Sequence, residues 1–141
     1  MEQMKNNLSI LIMEDEPSEQ FIMHHAIHEV DEHARVEMIK NERDLLDFFL
    51  KDEIYRELNR QSIPDLVLLN VKNSSFDLSS LQKLKARVQY KDLPVILLSG
   101  RACDPDIKDR AIDMGARSVF KNPDTYQELK AIVGDLLRSC A

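Results

Sequence analysis

Pro64-Asp65-Leu66-Val67-Leu68-Leu69-Asn70 is a short apolar run that ends abruptly in an amide. Leu66 to Leu69 are bounded by Pro64 before and by the polar run Lys72-Asn73-Ser74-Ser75 after. Such a run, apolar without alternation, reads as a strand buried on both faces, in the middle of a parallel sheet with helices on each side. In open α/β sheets the working site lies just beyond the carboxyl ends of the strands. Asn70 stands at such an end, so the question is what an amide does there.

The flanking chain supplies the rest of the sheet. Leu8 to Met13 reads as a buried strand that runs into Glu14-Asp15-Glu16 and Pro17. Proline suits a helix start, because a first-turn amide has no partner there. Phe21, Ile22, Ala26 and Val30 recur at helical spacing and predict an amphipathic helix over 17–30. Residues 35–39 alternate polar and apolar, as in a half-exposed edge strand. Asn41, with Asp44 three residues later, reads as a helix N-cap. Behind it Leu45, Leu46, Phe49 and Leu50 form a stripe, and the helix is expected to run on to Arg60 with Ile54, Tyr55 and Leu58 packing.

After the opening strand come a helix over 78–88 and a second continuous apolar strand, Pro94 to Ser99. Pro105 opens another helix, and Gly115 stops it. Arg117 to Lys121 reads as a short last strand. Pro123 and Asp124 open the final helix, with a stripe of Leu129, Ile132, Val133, Leu136 and Leu137. Strand and helix alternate five times. That implies a doubly wound α/β fold, a five-stranded parallel sheet between two layers of five helices in all, because right-handed crossovers cover both faces.

Bulk properties narrow the class. A length of 141 residues suits one domain, and 43% hydrophobic residues suffice for one core. A formal net charge of -6 argues against nucleic-acid binding. Cys103 and Cys140 are far apart without CxxC spacing, so neither a disulfide framework nor a zinc cluster is suggested and a reducing cytoplasm is the expected location. No apolar run approaches the roughly 18 residues of a membrane span. Residues 1–141 are expected to form a single domain with no output domain.

Four stretches carry the chemistry: ILIMEDEP (10–17), PDLVLLN (64–70), LPVILLSG (93–100) and MGARSVFKNP (114–123). They bring an acidic pair, a strand-end position, a strand-end hydroxyl and a lysine near proline to one sheet edge. From Ile10 to about Leu137 the chain resembles the receiver domain of two-component response regulators, with sheet order 2-1-3-4-5. The long second helix and the polar loop before Pro64 resemble the single-domain receivers related to the cyanobacterial phytochrome partners. In that family an acidic pair, here Glu14 and Asp15, holds Mg²⁺. An aspartate at the position of Asn70 takes a phosphoryl group from a histidine kinase. A hydroxyl, here Ser99, contacts the group, and a lysine pairs with it.

Carried over residue by residue, the resemblance breaks at this site. A neutral amide with a delocalised lone pair is a poor nucleophile, so Asn70 is not expected to be phosphorylated. It also removes an anionic ligand for a hard cation. The resemblance implies a lysine immediately before the proline, where this chain has Asn122. Lys121 comes one residue earlier and is expected on the other face of its strand. Val119 takes the place of the family's switch aromatic, and the loop 71–78 lacks the family's proline and glycine. Glu14 and Asp15 have two readings. One is weak binding of Mg²⁺ or Ca²⁺. The other, which we prefer, is an acidic pocket satisfied by water and backbone amides, with no cofactor required. For Ser99 a hydroxyl capping local backbone is preferred.

Other signals are weaker. His24 and His28, four residues apart, have the spacing of a metal clamp, but surface histidines are the preferred reading. Cys103 is read as an inert small side chain. The function expected is a non-enzymatic receiver module of a bacterial phosphorelay, acting by protein–protein contact without phosphorylation. Its partner is expected to be a histidine kinase or another signalling protein. Docking, or a homodimer, is expected at the fourth helix, fifth strand and fifth helix, residues 103 to 114 and 125 to 138 with the strand between. The alternative is a working response regulator in which Asn70 is engineered or bypassed by Asp77 or Glu14. A nucleotide- or flavin-binding domain rests on fold analogy alone.

Overall fold

The computed structural model describes residues 7–71, 78–100 and 105–140. Among them the chain runs β1 (Ser9–Met13), α1 (Pro17–Val30), β2 (Arg35–Ile39), α2 (Glu42–Leu46), α3 (Glu53–Leu58), β3 (Leu66–Val71), α4 (Ser79–Lys85), β4 (Val95–Ser99), α5 (Pro105–Asp113), β5 (Ser118–Lys121) and α6 (Tyr126–Cys140). The five strands are all parallel, in the order β2-β1-β3-β4-β5. This is the doubly wound α/β fold.

Alternation along each strand feeds two cores. Leu11, Val67, Leu69, Val95 and Leu97 face one layer, where they meet Leu45, Phe49 and Tyr90. Ile10, Ile12, Leu66, Leu68, Ile96 and Leu98 face the other, against α1 and α6. The strands are apolar throughout because both faces are covered. Each such buried Leu or Ile is worth about 1.5–3 kcal/mol. β2, at the edge, is half exposed, as its alternation requires.

Four expectations are corrected. Six α-helices are present among the described residues, because the long second helix is divided. After α2 the chain widens into a π-helical turn, Asp47–Lys51. Asp52 then leaves helical geometry at φ -115°, ψ 50°, before α3 begins. Side chains take the carbonyls of this turn. Arg56 Nε donates to Phe48 O at 2.9 Å, and Tyr90 Oη donates to Phe49 O at 3.0 Å. Arg56 also stacks 3.9 Å over the Phe48 ring and donates to Ser62 O. Beyond this brace Ile54, Tyr55 and Leu58 do not pack but stand exposed.

The buried stripe of α1 is Met23, Ala26 and Ile27, whereas Phe21 is 72% exposed and stacks on His25. The last helix starts at Tyr126, not Pro123. Thr125 caps it by accepting from Glu128 N at 3.1 Å, while Glu128 Oε1 accepts from Asp124 N and Thr125 N. That is a capping box.

Gly115 ends α5 at φ +117°, and a Cβ there would stand 2.5 Å from Lys85 Cγ. Glycine is required for both reasons. Lys85 packs its stem on Gly115 and donates to Leu93 O at 2.6 Å and Tyr90 O at 3.1 Å, fastening α4 to the approach to β4. Burial, and then the nearby Arg117, push the Lys85 ammonium below its ordinary pKa.

Candidate functional site at the carboxyl edge of the sheet

Register brings the candidate residues to one edge. Met13 stands opposite Leu69, which places Glu14, just after β1, beside Asn70 of β3. Asn70 stands opposite Leu98, and Ser99 opposite Lys121. Asn70 lies within β3, since pairing continues to Val71.

Asn70 Nδ2 donates a short hydrogen bond to Glu14 Oε1. Glu14 is only 1% exposed, so its carboxylate requires partners. Its other oxygen, Oε2, accepts from Glu16 N at 3.0 Å. The backbone of Glu14 is equally fixed, with N donating to Ile39 O at 2.8 Å and O accepting from Gln20 Nε2 at 2.6 Å. The amide's orientation follows from its neighbour. Turned over, its oxygen would face a carboxylate oxygen, acceptor against acceptor. Among the described residues the arrangement leaves Asn70 Oδ1 buried without a hydrogen-bond partner, a cost of about 1–3 kcal/mol. The Glu14 contact outweighs it, because hydrogen bonds to charged groups are the stronger kind.

The acidic neighbours diverge. Glu14 is turned in against Asn70, while Asp15 is exposed. This set fits a divalent cation poorly, because the inner carboxylate is engaged by N–H donors and position 70 offers only a neutral amide. Among the described residues no three Asp, Glu, His or Cys side chains group closely enough to hold a metal ion.

Asn70 and Asn122 line one cavity of about 200 Å³, with Glu19, Met23, Leu98, Pro123 and Leu129 around them. Asn122 N donates to Ser99 O at 3.1 Å, which fixes the turn out of β5. Lys121 faces away and its ammonium lies 3.5 Å from Asp124 in an exposed ion pair. Ser99 is buried, on the sheet face of Val95 and Leu97 rather than that of Leu98 and Asn70. Val119 is buried in the same core as Leu97. The loop residues Lys72 to Asp77, with Asp77 as an alternative acceptor, and Cys103 lie outside the described residues.

Sequence reasoning missed Glu19 and Met23. They lie four apart on α1, on the face of Met23, Ala26 and Ile27, and that spacing was the available signal. The histidines have other occupations. His24 and His28 meet edge to face at 4.2 Å, and His28 Nε2 donates to Ala34 O at 2.8 Å. Burial, and then His28, lower the His24 pKa. His25 lies between Phe21 and Tyr126, and the Tyr126 hydroxyl donates to Glu29. Burial and that carboxylate push Tyr126 up to about 12.

No protein-family model matches this chain. No curated protein matches it either. Solved structures do. The phosphorylated cyanobacterial phytochrome response regulator RcpA superposes with a TM-score of 0.75 at 19% identity, covering 92% of this chain and 91% of that one. A response regulator in red-light signalling of R. palustris gives 0.78 at 17% identity, covering 93% and 92%. The chemotaxis response regulator CheY4 of Vibrio cholerae gives 0.69 at 17% identity, covering 96% and 100%. At these identities the likeness establishes the fold alone, over nearly the whole chain. No helix among the described residues is long and apolar enough to cross a membrane.

Proposed function

We propose that this chain is a receiver-type signalling module of a two-component system that works by protein–protein contact and is not phosphorylated. One observation carries the reading: Asn70, at the position of the acceptor, spends its amide N–H on the buried Glu14 carboxylate. A receiver needs a carboxylate nucleophile there, a cation to offset charge, and a positive group to meet the phosphoryl oxygens. Here the nucleophile is neutral. Its N–H occupies Glu14, and Asn122 rather than a lysine lines the cavity. RcpA was solved phosphorylated, so the same architecture supports that chemistry when its residues allow it.

On this reading the chain is not an enzyme and needs no cofactor. It works in the cytoplasm, and its switch rests in one sequence-determined state with no phosphate to bias it. Its partner is a histidine kinase or another signalling protein, docking on the face of α5, β5 and α6. Intact-mass measurement after incubation with acetyl phosphate and Mg²⁺ tests this. The expected mass is unchanged. A stable gain of one phosphoryl group would overturn the reading and establish a working regulator with a bypass acceptor.

A further inference from the structure

We propose that the exposed apolar face of α3 is where a second copy of this chain docks. Ile54, Tyr55 and Leu58 are 74%, 55% and 79% exposed. Their spacing of i, i+1 and i+4 puts them on one side of the helix. Val88, 79% exposed, sits on the short turn that Arg87 and Gln89 tie to Glu53 at the start of α3. The face is held rigidly, because Arg56 clamps the helix to Phe48 O and Ser62 O from beneath.

Charge selects the occupant. Residues 51–60 carry Lys51, Arg56 and Arg60 against Asp52, Glu53 and Glu57, a balanced stretch on a chain of net charge -6. Two copies approach there without the repulsion met elsewhere. The other exposed apolar pair, Phe21 and Ile22 on α1, follows Asp15, Glu16 and Glu19, so two copies meeting there would set acids against acids. The face of α5, β5 and α6 offers Ile112 as its exposed large apolar side chain among the described residues, at 41%. It is thus left to a different partner.

The order of residues also suits a two-fold contact. Ile54 and Leu58 flank Arg56 at equal spacing and lie on the side of α3 opposite to it. Antiparallel docking sets Ile54 against Leu58 of the second copy, the isologous pattern of a closed dimer. The patch offers on the order of 500 Å² per copy, near the lower limit of specific interfaces. The dimer is therefore weak and depends on concentration.

Sedimentation velocity on the full chain, from about 10 µM to about 1 mM, tests it. The wild type is expected to pass from monomer to dimer across that range, and Leu58→Asp to stay monomeric with an unchanged far-ultraviolet spectrum. Ile54→Asp, the facing half of the same contact, is expected to do the same. A wild type monomeric throughout, or a dimer indifferent to Leu58→Asp or to Ile54→Asp, would overturn the proposal. The labelling experiment above is unaffected by any of these results.

Discussion

One hydrogen bond defines the residue scale. Asn70 is nearly isosteric with aspartate, yet it reverses the local electrostatics, because its N–H donates where a carboxylate would repel Glu14. Asn70→Asp sets two carboxylates together in a buried place, and one of them then titrates above its ordinary range. A carboxyl whose folded pKa is raised favours folding below its unfolded pKa, and that benefit is lost as pH rises through the raised value. The variant is expected to be about 1–3 kcal/mol less stable than the wild type near neutral pH, about 3–10 °C in Tm. The deficit should shrink as pH falls and on addition of Mg²⁺. Thermal melts that coincide at every pH would contradict the Asn70–Glu14 contact. The amide itself was legible in the sequence. Its bond to Glu14 was not, because the two lie 56 residues apart and meet only through the register of Met13 on Leu69.

At the scale of elements, periodicity finds a helix more reliably than it finds which side is buried. Over residues 17–30 two stripes share Ala26: one through Phe21 and Ile22, the other through Met23 and Ile27. The sheet and α6 select the second. The histidines then fall on the outer side with Phe21. The break after α2 was invisible to patterning for a related reason. What stabilises it comes from Arg56 and Tyr90, which reach the π turn from other elements. Arg56→Ala removes charged hydrogen bonds to two carbonyls and the stack on Phe48, and is expected to cost about 2–3 kcal/mol in urea denaturation. A loss under about 0.5 kcal/mol, the level of an ordinary surface change, would show that the π turn stands without this brace.

At the scale of the molecule, the sheet and the two cores were legible because they rest on burial, and burial writes itself into apolar runs. Along β5 Lys121 reaches out to Asp124, while Asn122 lines the cavity with Asn70. The exposed face of α3 was not legible, because Ile54 and Leu58 look the same in sequence whether they pack within the chain or wait for another copy. On the proposed reading phosphoryl chemistry is lost at several positions of the site, so restoring one residue should not restore the activity. Intact mass of Asn70→Asp incubated with acetyl phosphate and Mg²⁺ tests this most directly. Little or no labelling is expected, because Asn122 brings no positive charge to the transferred group. Rapid, Mg²⁺-dependent gain of one phosphoryl group would contradict the reading and make Asn70 the sole defect.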